Sequence, residues 1–508
     1  MQPSNVCLFI ALLLCAATVV ALDDPSPPIK PVPSSTTALL QLVGEKFQYY
    51  SNNFYFTDNT CATTLTQCGV YGTDLGVPVT FPDKIVFLFG DTWSYSKSSA
   101  GTFVWHPGWG KTDSIAFIDR PVDLSRCRAI ESIDRQIAAG TRPPVSDYSA
   151  SPKLKFFTKP EPIAGQPLFQ ETAIANLTPG QDVGPFEVPT GAFALNGKLY
   201  MFYNVQHQQS VDAAGKEATF FLNSILARSD QDYSKWKTNA PPTFTRLYDV
   251  SIHAPVSNVN APPPEENAPG KFIHVAPVVM DHATLAARGW LPSLPPALQK
   301  ADSVVFMWGT SWRYVHSNLY LAAVAASEIE ATVNGTRDET KWWYCQSAGT
   351  AAQPPAWSHD EAAAQPLLNT WELPGAPCIG EHSVIWSKEL QQYLLAYQDR
   401  YFKIKFRAAS LPWGPWSTEM EVFTSVQPAA EKFIHHPNKD SITQNCVPVF
   451  KPDGTPFTVP DNQGATYGPY LLDQTTANAD GSVTVYYTMS TWSPYNVFLM
   501  KTAFIRKR

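Results

Sequence analysis

The chain has 508 residues, 13% of them aromatic and only 16% charged, and carries a formal net charge of -7 at pH 7. Such a composition builds a large core under a modestly charged surface. It excludes a nucleic-acid binder, because phosphates demand a basic stripe that this chain lacks.

From the N-terminus, Val6 to Leu22 is almost continuously apolar and ends in the small residues Val19-Val20-Ala21. Its apolar core and cleavage site predict a signal peptide over residues 1–21, although a basic n-region is missing. As a membrane span it is marginal in length and lacks flanking charge. A secreted, extracellular protein without membrane contact after cleavage is therefore expected. Residues 22–37, rich in Pro and Ser, read as a linker that cannot bury enough apolar surface to fold. From Ala38 to the C-terminus no linker-like break occurs, which predicts one domain over 38–508.

Cys7 and Cys15 leave with the signal, and Cys61, Cys68, Cys127, Cys345, Cys378 and Cys446 remain. An even number in an exported chain predicts disulfides, with Cys61 to Cys68 the easiest local pair and the connectivity open. There is no C-x-x-C pair, so neither a metal nor a redox cofactor is expected. Sequons begin at Asn176 and Asn334 and fit glycosylation on a secretory route.

The first strong structural signal is Asp74-Leu75-Gly76-Val77-Pro78-Val79-Thr80-Phe81, a Pro-Asp-Lys turn, and Ile85-Val86-Phe87-Leu88-Phe89-Gly90-Asp91-Thr92-Trp93. It reads as a hairpin that places two carboxylates, Asp74 and Asp91, at one end. The pattern of strand, turn, aromatic-rich strand and third strand returns four times. The second copy turns at Asn196-Gly197, the strongest short hairpin signal. The others centre on Val304 to Trp312, Tyr393 to Gln398, and Val483 to Trp492. Five small antiparallel sheets argue for radial stacking: an all-β, five-bladed β-propeller with long inter-strand loops. The loops include Arg126 to Thr141, with helical character, and the Pro-rich Ala261 to Gly270. A β-sandwich would not predict repeats with a common third strand.

Residues where the innermost strands begin line the mouth of a propeller channel. By parallel reading of the copies these are Asp74, the stretch Glu187 to Thr190, His274, Glu381 with His382, and Tyr467. Trp93, Asp91, Thr310, Trp312, Asp399 and Trp492 lie at the following strand ends. A polar and aromatic funnel suits sugars, whose hydroxyls need partners and whose C–H faces stack on rings. The candidate site is thus Asp74 and Asp91, with Trp93, Glu187, Thr190, His274, Trp312, Glu381, His382, Tyr467 and Trp492 expected to bind a polysaccharide or glycan substrate.

The combination of Gly72-Thr73-Asp74-Leu75-Gly76, Phe89-Gly90-Asp91-Thr92-Trp93, Val188-Pro189-Thr190-Gly191, Pro412-Trp413-Gly414-Pro415-Trp416, Tyr467-Gly468-Pro469-Tyr470 and Ser490 to Val497 resembles a propeller family long catalogued as a domain of unknown function. Members of that family are recognised as endo-D-arabinanases of glycoside hydrolase family 183. The resemblance runs from about Phe47 to Lys501. It implies hydrolysis of α-D-arabinofuranosyl linkages in arabinogalactan and lipoarabinomannan, with Asp74 and Asp91 as the matching catalytic acids.

Glycoside cleavage needs one protonated and one ionised carboxyl group. Two acids close together in a partly desolvated funnel push their pKa values apart and so create both roles. Asp91, next to Trp93, is read as the acid and Asp74 as base or nucleophile. Each residue also has a structural reading: Asp91 and Asp74 as turn caps, His274 and His382 as satisfied core histidines, His435-His436 as an exposed loop rather than a metal site. A phosphate loop at Gly108-Trp109-Gly110-Lys111-Thr112 fails because Trp105 stands where its first glycine is required. No serine-hydrolase elbow or zincin motif is present. Two functions remain: a secreted glycoside hydrolase acting on arabinan, or a non-catalytic, lectin-like propeller. A lectin would repeat its site between blades, whereas Asp91, Val205, Thr310, Asp399 and Met489 differ from copy to copy, which favours one asymmetric site.

Overall fold

A computed structural model describes residues 28–44, 46–51, 54–59, 63–97, 103–105, 112–124, 153–160, 167–184, 186–211, 217–257, 268–349, 354–368, 379–425, 430, 434, 464–492 and 495–506. The expected signal peptide, the loop from 126 to 141, His435-His436 and the cysteines at 61, 127, 378 and 446 lie outside the described residues.

Five of the sheets formed by the described strands are arranged as a five-bladed β-propeller. Blade 1 runs from the axis outwards as Leu75–Thr80, Lys84–Phe89, Ser114–Asp119 and Lys155–Phe156. Blade 2 is Pro189–Leu195, Lys198–Val211, Glu217–Ser229 and Phe244–Ile252, with Ile174–Ala175 added in parallel at its edge. Blade 3 comprises His274–Asp281, Ser303–Thr310, Tyr320–Ala325, Trp343–Ser347 and Ala356–Ser358. Blade 4 comprises His382–Ser387, Gln392–Gln398, Lys403–Ala409 and Met420–Thr424. Blade 5 starts with Ala465–Ala477, Val483–Trp492 and Asn496–Arg506. The innermost strands of the blades pack side by side in a ring.

Local chemistry explains the hairpins. Asn196 and Gly197 both adopt positive φ, 49° and 76°, the turn whose twist matches the flanking strands. The second strand of blade 1, Lys84–Phe89, is buried along its whole length. That is why it reads as a continuous apolar run instead of an alternating one. Packing then closes the ring, because each hydrophobic core joins two blades. Phe193, Tyr200 and Phe202 of blade 2 meet Val305, Met307 and Tyr320 of blade 3. Phe406 of blade 4 meets Tyr487 and Phe498 of blade 5, and Leu499 of blade 5 meets Phe87 and Phe89 of blade 1. Each such side chain contributes about 1.5–3 kcal/mol on burial.

Two expectations are corrected. Part of the Pro/Ser-rich stretch read as linker is structural: Ile29–Pro31 and Thr37–Gln41 both pair with Asn496–Arg506 and complete blade 5. Composition misled here because the backbone pairs through its own N–H and C=O groups, whatever the side chains. Cys345 is a free, buried thiol whose Sγ donates to the Ser347 carbonyl across 3.2 Å, not half of a disulfide. Both sequon asparagines, Asn176 and Asn334, are exposed. Among the described residues no helix is long and apolar enough to cross a membrane.

Candidate active site

The Asp-Leu-Gly motif makes a kink. Leu75 and Gly76 have φ of 63° and 75°, and the pairing with the next strand shifts between Leu75 and Val77. Such a bulge re-aims the side chain beside it, here Asp74. Ser490 Oγ of blade 5 holds the kink by accepting from Leu75 N at 2.7 Å. The ends of the hairpin are then tied by hydroxyls. Thr73 Oγ1 donates to Gly90 O at 3.0 Å and lies 2.9 Å from Thr92 Oγ1, which lies 2.7 Å from Ser114 Oγ. Asp74 and Asp91 are thereby fixed at one mouth of the channel.

Register adds a third acid. Phe89 pairs with Leu75 on one side and Ser114 on the other, so one step further Asp74 and Asp113 flank Gly90 on neighbouring strands. Gly90 leaves space there: a Cβ on it would stand 2.4 Å from Asp74 Oδ1. Asp113 is 1% exposed, and neither of its carboxyl oxygens finds a donor among the described residues; nor does Asp74 Oδ1.

Burial pushes Asp74 up to about 7, against the opposing pull of the Tyr495 and Tyr467 hydroxyls. Tyr467 donates to Asp74 Oδ2 at 3.1 Å. Asp91 is pushed up to about 8 by burial, then by the charges of Asp74 and Glu187, while the Phe186 amide on its Oδ1 at 3.3 Å pulls the other way. Asp113 is raised well above the carboxylate range by burial and by the charges of Asp91, Asp74 and Glu187. Glu381 reaches about 8, through burial and the charge of Asp74, although Tyr314 donates to its Oε1 at 2.7 Å. Glu187 pairs with His207 Nδ1, which raises the histidine. The mouth is therefore a desolvated acidic cluster that retains protons near neutral pH.

Of the predicted residues, Asp74, Asp91, Glu187, Glu381 and Tyr467 are electrostatically coupled in this cluster. Trp93 stacks on Tyr495 at 4.9 Å and Trp492 meets the same ring edge-on at 5.3 Å, so both form a wall beside Asp74. His274 is buried against Phe221 and Tyr314, and burial drives it down to about 3. Three residues do other work, and their expected contact with sugar is corrected. Trp312 is fully buried, one face stacked on His253 at 4.1 Å and another side against Phe220. Thr190 Oγ1 accepts from Val275 N at 3.2 Å and joins blade 2 to blade 3. His382 is tied to the Trp308 and Gly380 carbonyls at 3.1 and 3.3 Å.

Sequence reading missed Asp113, Tyr314, Tyr495 and His207. Asp113 was findable by extending the hairpin register to the third strand. The others sit on loops or a strand extension with no periodic signal. Among the described residues no group of three His, Cys, Asp or Glu side chains is arranged to hold a metal ion.

Fold and site together define a five-bladed propeller with a carboxylate-lined mouth. Residues 59–501 match the family described as Domain of unknown function (DUF4185), and the chain belongs to that family. Among solved structures it is similar to a Bacteroides ovatus protein described provisionally as a hydrolase, at 10% identity and a TM-score of 0.44, covering 90% of this chain and 93% of the other. It is also similar to the catalytic domain of a GH62 alpha-L-arabinofuranosidase from Coprinopsis cinerea, at 9% identity and a TM-score of 0.35, with 94% and 98% covered. A GH43_1 enzyme from Xanthomonas citri complexed with xylotriose aligns at 9% identity and a TM-score of 0.33, with 86% and 87% covered. No curated protein matches the chain.

Proposed function

We propose that this protein is a secreted glycoside hydrolase, endo-acting on α-D-arabinofuranosyl linkages of arabinan-type polysaccharide such as arabinogalactan and lipoarabinomannan. The observation that carries the reading is the Asp74 and Asp91 pair at one mouth of the channel, both raised above the carboxylate range by burial, with the Asp74 charge raising Asp91 further. Like charges so placed cannot both ionise freely, and one carboxyl keeps its proton while the other loses it.

Asp91 is the acid. Burial and the charge of Asp74 keep the proton on it, and its partial exposure lets it present that proton to the leaving oxygen. Asp74 is the ionised partner, because two tyrosine hydroxyls stabilise its carboxylate. It acts as nucleophile on the sugar carbon or as base on a water, according to the separation of the carboxyls once substrate is bound. In the wall, Trp93 is buried behind Tyr495, and the half-buried Tyr495 and Trp492 are the rings that can meet sugar C–H groups.

The test is release of reducing ends from mycobacterial arabinogalactan, with plant L-arabinan alongside, by wild type and by Asp74→Asn and Asp91→Asn. Activity in wild type that falls about 10²- to 10⁴-fold in both folded variants supports the assignment. Glycan binding by all three proteins without any release leaves a lectin-like propeller instead.

A further inference from the structure

Just before the inner strand of blade 2, the chain passes beside the acid site at Phe186. Its backbone is left-handed, with φ of 73°. Non-glycine residues keep that conformation only where the surroundings impose it. Here the surroundings are explicit. Asn204, fully buried, donates through Nδ2 to Phe186 O at 3.2 Å and accepts at Oδ1 from Val188 N. Phe186 N donates to Asp91 Oδ1 at 3.3 Å. The ring rests against His207, centroids 5.4 Å apart, and His207 is itself held by Glu187.

The consequence is an aromatic ring that is 42% exposed while its own main chain grips Asp91. A lone exposed phenylalanine needs no explanation. One held outward by a strained backbone, a buried amide clamp and a bond to an ionisable group of the site does. The exposed ring attracts the C–H face of a sugar.

We propose that Phe186 is the stacking platform for a sugar residue next to the bond that is cut. This rests on the hydrolase reading, and the experiment separates the two. Arabino-oligosaccharide is titrated into Asp74→Asn and into Asp74→Asn combined with Phe186→Gly, Phe186→Ala or Phe186→Tyr, while KM and kcat on arabinan are measured for the single Phe186 variants. Gly and Ala should weaken binding and raise KM by about tenfold, with a smaller change in kcat, and Tyr should restore both. Gly tolerates the left-handed backbone, so Phe186→Gly should keep or raise the melting temperature and exclude misfolding as the cause. Binding and KM unchanged in Phe186→Gly would overturn the platform while leaving the hydrolase intact. Phe186-dependent binding without hydrolysis by wild type would overturn the hydrolase and keep the platform. Absence of both binding and hydrolysis would overturn both.

Discussion

Gly90 and Asp74 share one space: the Cβ that glycine lacks would stand 2.4 Å from Asp74 Oδ1 and 2.9 Å from Val188 Cγ1. The Gly-Asp of Phe89-Gly90-Asp91 is thus two functions in adjacent residues, room for one carboxyl and the attachment of the other. Gly90→Ala is expected to displace Asp74, cutting activity by about 10²-fold and stability by about 1–3 kcal/mol. Comparing it with Asp74→Asn in one assay and one thermal melt checks this. Full activity in Gly90→Ala would mean that the position of Asp74 is not critical.

Activity should follow a narrow bell against pH. Asp74 must lose its proton, so kcat/KM rises towards about pH 7, and Asp91 must keep its own, so the rate falls beyond about pH 8. The two limbs belong to the pair and not to single residues. Tyr467 bonds the charged form of Asp74, so Tyr467→Phe removes a stabilising donor and should move the acid limb to higher pH. A shift to lower pH would exclude Asp74 as the group that must ionise.

Asp113 should cost stability in its charged state. Its folded pKa is raised well above 3.8 by burial, so between about pH 4 and that raised value the native state binds more protons than the unfolded one. Stability from this group therefore declines as pH rises through that window. Asp113→Asn keeps the shape and removes the titration. The variant should melt close to wild type at pH 4 and above it at pH 8. Equal melting at both pH values would show that Asp113 is not held in its protonated form.

The repeating hairpins were legible because each strand is bounded by turn chemistry such as Asn196-Gly197 and carries apolar residues that two blades share. The acid pair was legible because chain reversal alone brings Asp74 and Asp91 to one end. What failed did so for identifiable reasons. Trp312 follows a strand as Trp93 does, and both are buried; the 268–273 segment lies against Trp312, with Trp312 N donating to Gly270 O at 3.0 Å. No pattern in one strand reveals which neighbouring segment will cover it. Asp113 and Phe186 owe their significance to cross-strand register and to backbone angle, neither of which has a one-residue signature.

The N-terminal strap should be indispensable. Ile29 is fully buried in the core between blades 4 and 5. Leu39, Leu40, Leu42 and Val43 are buried in the core between blades 5 and 1. Main-chain bonds anchor the strap at both ends, Val32 N to Ala503 O at 2.8 Å and Leu42 N to Val497 O at 2.9 Å. At about 1.5–3 kcal/mol for each buried aliphatic side chain, losing these five approaches or exceeds the about 5–15 kcal/mol that holds a domain folded. Removal would also leave Asn496–Arg506 as a long exposed edge open to pairing with other chains. A protein starting at residue 28 is therefore expected to melt as the full chain does, whereas one starting at residue 44 should aggregate or fail to fold. A cooperative melt at unchanged temperature for the shorter protein would mean that the propeller closes without the strap.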